Sequence, residues 1–165
     1  MTAATMPSPT DRIERQLRLD SPRSRVWRAL SNAQEFGTWF GMTFEAPFTP
    51  GATVRARLNN PKYAHVPFEI IIDRIEPERL FSFKWRPYAL DPTVDYSAEP
   101  RTLIVFTLEA VDADTPNAGT MLRVVESGFD GIPASRRTIA FEMNGRGWTA
   151  QLENVKRYVE QQANA

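Results

Sequence analysis

A chain of 165 residues with 20 basic and 20 acidic side chains, one histidine and no cysteine is the size of a single domain. Its zero formal net charge argues against a dominant role on nucleic acid or on an anionic membrane surface. The missing cysteine excludes disulfides and thiolate chemistry. One histidine is no basis for a structural zinc site or for a Ser-His or Cys-His nucleophile.

Met1–Thr10 is polar, small and Pro-containing, without the basic start and apolar run of a signal peptide. Residues 1–10 are read as a flexible tail and 11–165 as one domain. No window approaches the ~18 apolar residues of a membrane span, so no integral membrane association is expected and the default location is cytoplasmic.

Asp11–Asp20 alternates as a strand, with Ile13, Leu17 and Leu19 on one face and Arg15 interrupting it. Ser21-Pro22 reads as an N-cap followed by Pro at the first helical position, opening a short helix to about Leu30. Its buried side is Val26, Trp27 and Leu30. Asn32 caps a second short helix through Phe36, before Trp39 and Phe40 between Gly37 and Gly41.

Strands follow. Thr43–Pro47 is short, and Pro50-Gly51 turns the chain. Thr53–Leu58 places Val54, Ala56 and Leu58 on one face. Val66–Ile75 sends Phe68, Ile70 and Ile72 one way, and Ile71 and Ile75 the other. Leu80–Trp85 sets Phe81, Phe83 and Trp85 against Ser82 and Lys84. Arg86–Arg101 is a Pro-containing loop whose acids, Asp91, Asp95 and Glu99, are too sparse for a calcium site; it reads as a solvated rim. Thr102–Val111 and Thr120–Ser127 complete the sheet, with Leu122, Val124 and Glu126 on the inner face of the last strand.

From Arg137 to Gln162 the residues Phe141, Gly145, Trp148, Leu152, Val155 and Val159 recur at steps of four and three. They form one stripe of an amphipathic helix roughly 40 Å long. Gly145 and Gly147 each cost about 1 kcal/mol inside a helix, which points to close packing or to a weak point in the helix. Strands grouped away from helices, with hairpin-length links, indicate an α+β fold: a curved antiparallel sheet of six to seven strands gripping a long C-terminal helix.

These pieces resemble a known family. Ser21–Leu30, Trp39-Phe40, Ile75–Trp85, Val105–Glu109, Gly119–Phe129 and Gly147-Trp148 together are similar to the START-like (SRPBCC) superfamily and its helix-grip fold. Within it they resemble the branch of homologues of the activator of heat-shock protein 90 ATPase, C-terminal-domain-like. The resemblance implies a cavity between sheet and helix that takes a lipid, polyketide or aromatic-type molecule. It leaves open an enzyme (cyclase or hydrolase) acting on a cavity-bound substrate, or a chaperone-related interaction module, with a protein partner or dimer possible.

The aromatics Trp39, Phe68, Phe81, Phe83, Trp85, Phe106, Phe141 and Trp148, with Met121, are the candidate lining, since small-molecule pockets are mainly apolar with few polar anchors. Arg15 and Glu126 are the candidate anchors. Both have inward strand parity on the first and last strands, so they are expected to face each other as a charged pair or a ligand-orienting pair. Catalytic residues are unassigned, and no cofactor or metal is implied. His65, the single histidine, is expected in solvent.

Overall fold

The computed structural model describes residues 8–163. The order of elements is β1 (Arg12–Leu19), α1 (Arg23–Ser31), α2 (Ala33–Phe40), β2 (Met42–Phe44), β3 (Thr53–Leu58), β4 (Phe68–Glu76), β5 (Leu80–Trp85), β6 (Thr102–Val111), β7 (Gly119–Ser127), a 3-10 turn (Phe129–Gly131) and α3 (Ala134–Ala163). The seven strands form one antiparallel sheet in the order β1-β7-β6-β5-β4-β3-β2. The α+β helix-grip expectation is met. Most of the tail expected over residues 1–10 lies outside the described residues; at its end the Thr10 hydroxyl donates to Asp130 at 2.6 Å.

Alternation sorts the sheet into two faces. Val54, Ile70, Phe81, Phe83, Ile104, Phe106, Leu122 and Val124 are buried on the inner face, where α3 supplies Ala140, Trp148, Leu152, Val155 and Val159. At 30 residues the helix is about 45 Å long. It begins three residues earlier than the sequence pattern indicates, because the chain turns sharply at Phe129–Gly131.

Side chains fasten the helix along its length. Arg136 holds the 86–101 loop. The Gln151 amide donates to the Phe40 carbonyl at 2.9 Å. The Tyr158 hydroxyl donates to Glu35 at 3.0 Å, and Glu160 accepts from the Asp20 amide at 2.9 Å.

Two local expectations are corrected. Pro22 is itself the extended N-cap of α1, and no side chain caps that helix; the Ser21 hydroxyl is buried without a partner. Ile75 points inward with Phe81, its register partner, and not outward. A bulge between Ile72 and Arg74 shifts the alternation by one residue. Ser82 supports it, accepting from the Arg74 amide at 3.1 Å and donating to Asp73 at 2.9 Å. Asn32 does cap α2, accepting from the Glu35 amide at 2.9 Å.

Two glycines carry opposite meanings. A Cβ on Gly37 would lie 2.3 Å from the Met42 carbonyl oxygen, so α2 can pack on β2 only with glycine there. A Cβ on Gly147 would meet nothing within 4 Å. Gly37→Ala is therefore expected to destabilise by about 1–3 kcal/mol through overpacking. Gly147→Ala should stabilise by about 1 kcal/mol through helix propensity. Urea denaturation of both variants checks the opposite signs; a loss at residue 147 would mean that a neighbour fills that space in solution.

Candidate functional site

Three strands end side by side on the inner face. Trp85 closes β5, Thr102 opens β6 opposite it, and Glu126 lies next to the end of β7. One turn of α3 covers them, presenting Asn144 and Trp148 at i and i+4, which share a helix face. These residues converge on Glu126, whose side chain is fully buried.

One carboxylate oxygen of Glu126, Oε2, accepts from Trp85 Nε1 at 2.7 Å and lies 2.5 Å from the Thr102 hydroxyl. The other, Oε1, accepts from Trp148 Nε1 at 2.8 Å and from Asn144 Nδ2 at 3.0 Å. The same amide nitrogen is 3.2 Å from Oε2. All four partners are uncharged. Among the described residues, no ion pair within 4.0 Å reaches Glu126.

Burial raises the pKa of Glu126 above the usual carboxyl value, and the bonds from Thr102, Trp85, Trp148 and Asn144 pull it only part of the way back. Thr102 can serve either protonation state. It donates to an ionised Oε2, or accepts from a protonated one while turning its own hydrogen toward the Trp85 carbonyl 3.5 Å away.

The space under the helix is filled by rings. Trp85 and Trp148 stack with centroids 5.6 Å apart and planes 20° apart. Phe40 lies 5.8 Å from Trp85 and 5.9 Å from Trp148, and Phe106 lies 5.6 Å from Trp148. Phe81 and Phe83 continue this packing toward Phe36. An open groove of about 670 Å³ lies at the end of the sheet, between residues 64–69 and the 86–97 loop. Phe68 lines this groove, with its ring 5.7 Å from Trp85. A line of contacts thus runs from the groove through Phe68 and Trp85 to the carboxyl.

The expected Arg15–Glu126 pair does not form. In register Arg15 opposes Val124 and Ile13 opposes Glu126. Arg15 has the inward parity expected of it, but β1 is an edge strand, and its long side chain reaches out past the helix. There it donates to Thr149 at 3.1 Å and to the Glu14 carbonyl at 2.9 Å and lies against Gly145. Met121 is also corrected. It pairs with Arg18 and Glu109 on the outer face, because inward Leu122 fixes its neighbour outward.

Of the remaining candidates, Trp39 is buried away from the carboxyl, its indole donating to the Ala29 carbonyl at 2.8 Å. Phe141 packs edge-on against Phe129 at 5.3 Å. Thr102 and Asn144 were not among the candidates. Strand parity two residues before Ile104, and helical spacing four before Trp148, are the signals that place them.

The 86–101 loop is held down by Arg136. The guanidinium makes a bidentate contact with Glu99 at 2.6–3.1 Å. It also donates to the Pro87 and Tyr88 carbonyls at 2.8 and 3.2 Å and lies 4.8 Å over the Tyr96 ring. Tyr88 has φ +51°, a strained conformation for an aromatic residue. The loop acids are not free rim charges: Asp91 accepts from Thr93, Asp95 from Ser97, and Glu99 from Arg136.

Two outcomes follow from this geometry. A carboxyl whose folded pKa is raised lends most stability at low pH, where it is neutral in both states, and loses it as pH rises through the folded value. The stability of the native chain minus that of Glu126→Gln should therefore fall as pH rises above 4.5, the ordinary glutamate value, read by urea denaturation at each pH. A level difference would mean that the four donors fully offset burial. Arg136→Ala should cost about 1–3 kcal/mol by leaving Glu99 half-buried and unpaired. Amide hydrogen exchange should quicken within residues 86–101 and not in β5 or β6; uniform quickening would contradict a local clamp.

Comparison with known proteins places this architecture. Among solved structures, DynU16, a protein of the dynemicin biosynthetic locus, is 24% identical with a TM-score of 0.67, over 92% of this chain and 48% of that one. This chain thus spans about half the length of DynU16. A protein of Mesorhizobium loti is 23% identical with a TM-score of 0.69, over 91% and 97% of the two chains. The Aha1 dimer of Colwellia psychrerythraea is 16% identical with a TM-score of 0.65, over 90% and 96%. At such identities the likeness is one of fold. No curated protein matches the chain. The family model described as Activator of Hsp90 ATPase homolog 1-like protein matches residues 20–160, and the chain belongs to that family.

Proposed function

We propose that this protein binds an apolar or amphipathic small molecule whose polar end is recognised at Glu126. The observation that carries the reading is a fully buried carboxyl held by four uncharged donors inside an aromatic enclosure. Burying such a group costs several kcal/mol relative to an apolar residue of similar volume, so a purely structural core has little use for it. Pockets that recognise small molecules combine an apolar wall with a few placed polar groups, and this region has both.

The groove beside Phe68 is the natural mouth. A ligand entering there slides its apolar body along Phe68 and Trp85, and ring rotation under the helix makes the room. No helix among the described residues is long and apolar enough to cross a membrane, which fits binding from solution.

Binding is preferred over catalysis because Glu126 stands alone. A hydrolase or cyclase site brings two or more polar groups to the reacting atoms, whereas the other polar groups here, Thr102 and Asn144, both serve the carboxyl. Chaperone association, which the family's name raises, would use the outer face of the sheet. There Glu14, Arg123, Glu69 and Arg101 form charged pairs, and a docking patch would be apolar.

Tryptophan fluorescence tests the proposal directly, since Trp85 and Trp148 flank the carboxyl. Titration with a panel of fatty acids, long-chain amines, sterols and polycyclic aromatics should give saturable quenching by at least one class. Phe68→Ala should weaken that binding roughly tenfold, as expected for losing a buried aromatic contact. Native mass spectrometry should report one molecule per chain. The reading is falsified if no class binds saturably and the purified chain carries nothing.

A further inference from the structure

We propose that the polar end recognised at Glu126 is an organic cation, a protonated amine or quaternary ammonium carried on an apolar body. This rests on the reading of Glu126 as a ligand anchor and names the class of ligand.

The carboxyl lacks a cation of its own. The chain has 20 lysine and arginine residues, yet none pairs with Glu126 among those described. Arg15 lies on the correct face of the neighbouring strand and turns instead to Thr149. A buried carboxyl is ordinarily paired with a positive group. Here four uncharged donors stand in that place, and a positively charged ligand would take it from one of them.

The walls have matching chemistry. Trp85 and Trp148 direct their N–H edges at the carboxyl, and Phe40 stands within 6 Å of both. The stacked rings offer an apolar wall for the body of the ligand, and the carboxyl supplies the counter-charge for its cationic end. An anionic ligand would meet like charge, and a neutral one would bring no counter-charge.

One of the four donors is placed to give way. Asn144 shares its amide between both oxygens at 3.0 and 3.2 Å, while the other three bonds are 2.5–2.8 Å. It precedes Gly145 and Gly147, and beside Gly147 a Cβ would meet nothing. An ammonium group replacing the Asn144 amide would contact both oxygens with the tryptophan bonds intact. The groove carries both signs, with Arg55 and Arg86 alongside Asp91 and Asp95, so selection for charge operates at the carboxyl and not at the mouth.

A matched set of probes tests this: benzyltrimethylammonium, its neutral isostere with carbon in place of nitrogen, and 3-phenylpropanoate. Each is titrated against the full chain by tryptophan fluorescence at neutral pH. The cation should bind roughly tenfold or more tighter than the isostere through charge attraction to Glu126, and the acid should not bind. In Glu126→Gln the preference for the cation should vanish. Should that variant not fold, Asn144→Ala gives an independent reading, because removing the competing donor should tighten the cation severalfold and leave the isostere unchanged. Equal or tighter binding of the isostere or the acid overturns the inference and leaves small-molecule binding intact. So does binding of other amphiphiles with none of these three. Silence across these probes and the wider panel would bring down both readings.

Discussion

Everything under the long helix is arranged around the Glu126 carboxyl. It is the one fully buried ionisable group among the described residues, and its partners come from β5, β6 and α3, while its own strand is β7. An unpaired carboxylate in such a place would be prohibitively unfavourable. Four donors make it tolerable, and they do so only if three strand ends and one helix turn hold their positions together. Hydrogen-bond networks in a low-dielectric interior are strong when complete and costly when broken. The carboxyl therefore fixes the rotation of α3 about its axis: a turn of the helix by one residue would remove both Asn144 and Trp148.

The same constraint explains why the helix is fastened so often outside the core. Arg136, Gln151, Tyr158 and Glu160 bond to the 86–101 loop, to Phe40 and Glu35 of α2, and to Asp20. A helix of 30 residues held by apolar contacts alone could slide or rotate with little change in buried area, because dispersion and hydrophobic burial have little directionality. Directional bonds at intervals remove that freedom. Loop 86–101 is drawn into the same arrangement, since it joins Trp85 to Thr102, two of the carboxyl's donors, and is clamped by Arg136 near the start of α3.

Much of this was legible in the sequence, and the exceptions have physical reasons. Alternation placed Glu126 inward, and the four-three spacing drew the helix stripe through Trp148, because both depend on local geometry alone. Met121 is apolar, yet the inward parity of Leu122 and Val124 turns it to the outer face beside Arg18 and Glu109. Arg15 had the correct face, but a long side chain at a sheet edge can carry its charge outward past its neighbours. Ile75 could not be read, because the bulge that turns it depends on Ser82 meeting Asp73 and Arg74 across two strands. The Arg136–Glu99 clamp joins residues 37 apart, a distance that no local pattern spans. Whether the interior is open or filled depends on ring angles, and the sequence names the rings without orienting them.

The weak point of the helix and the strong point of the core coincide. Asn144-Gly145-Arg146-Gly147 covers the carboxyl with two glycines in one turn, each weakening the helix. Gly145 has a packing reason, since its Cβ would come within 3.2 Å of the Arg15 guanidinium. Gly147 has none, because the space beside it is empty. A sequence shaped for stability alone would place alanine there. Glycine at that position is instead understandable if this turn must loosen, releasing the Asn144 amide while Trp148, a residue further on, stays stacked on Trp85. Stability at this turn is then given up for access to the carboxyl, the exchange expected where a buried polar group also serves a ligand.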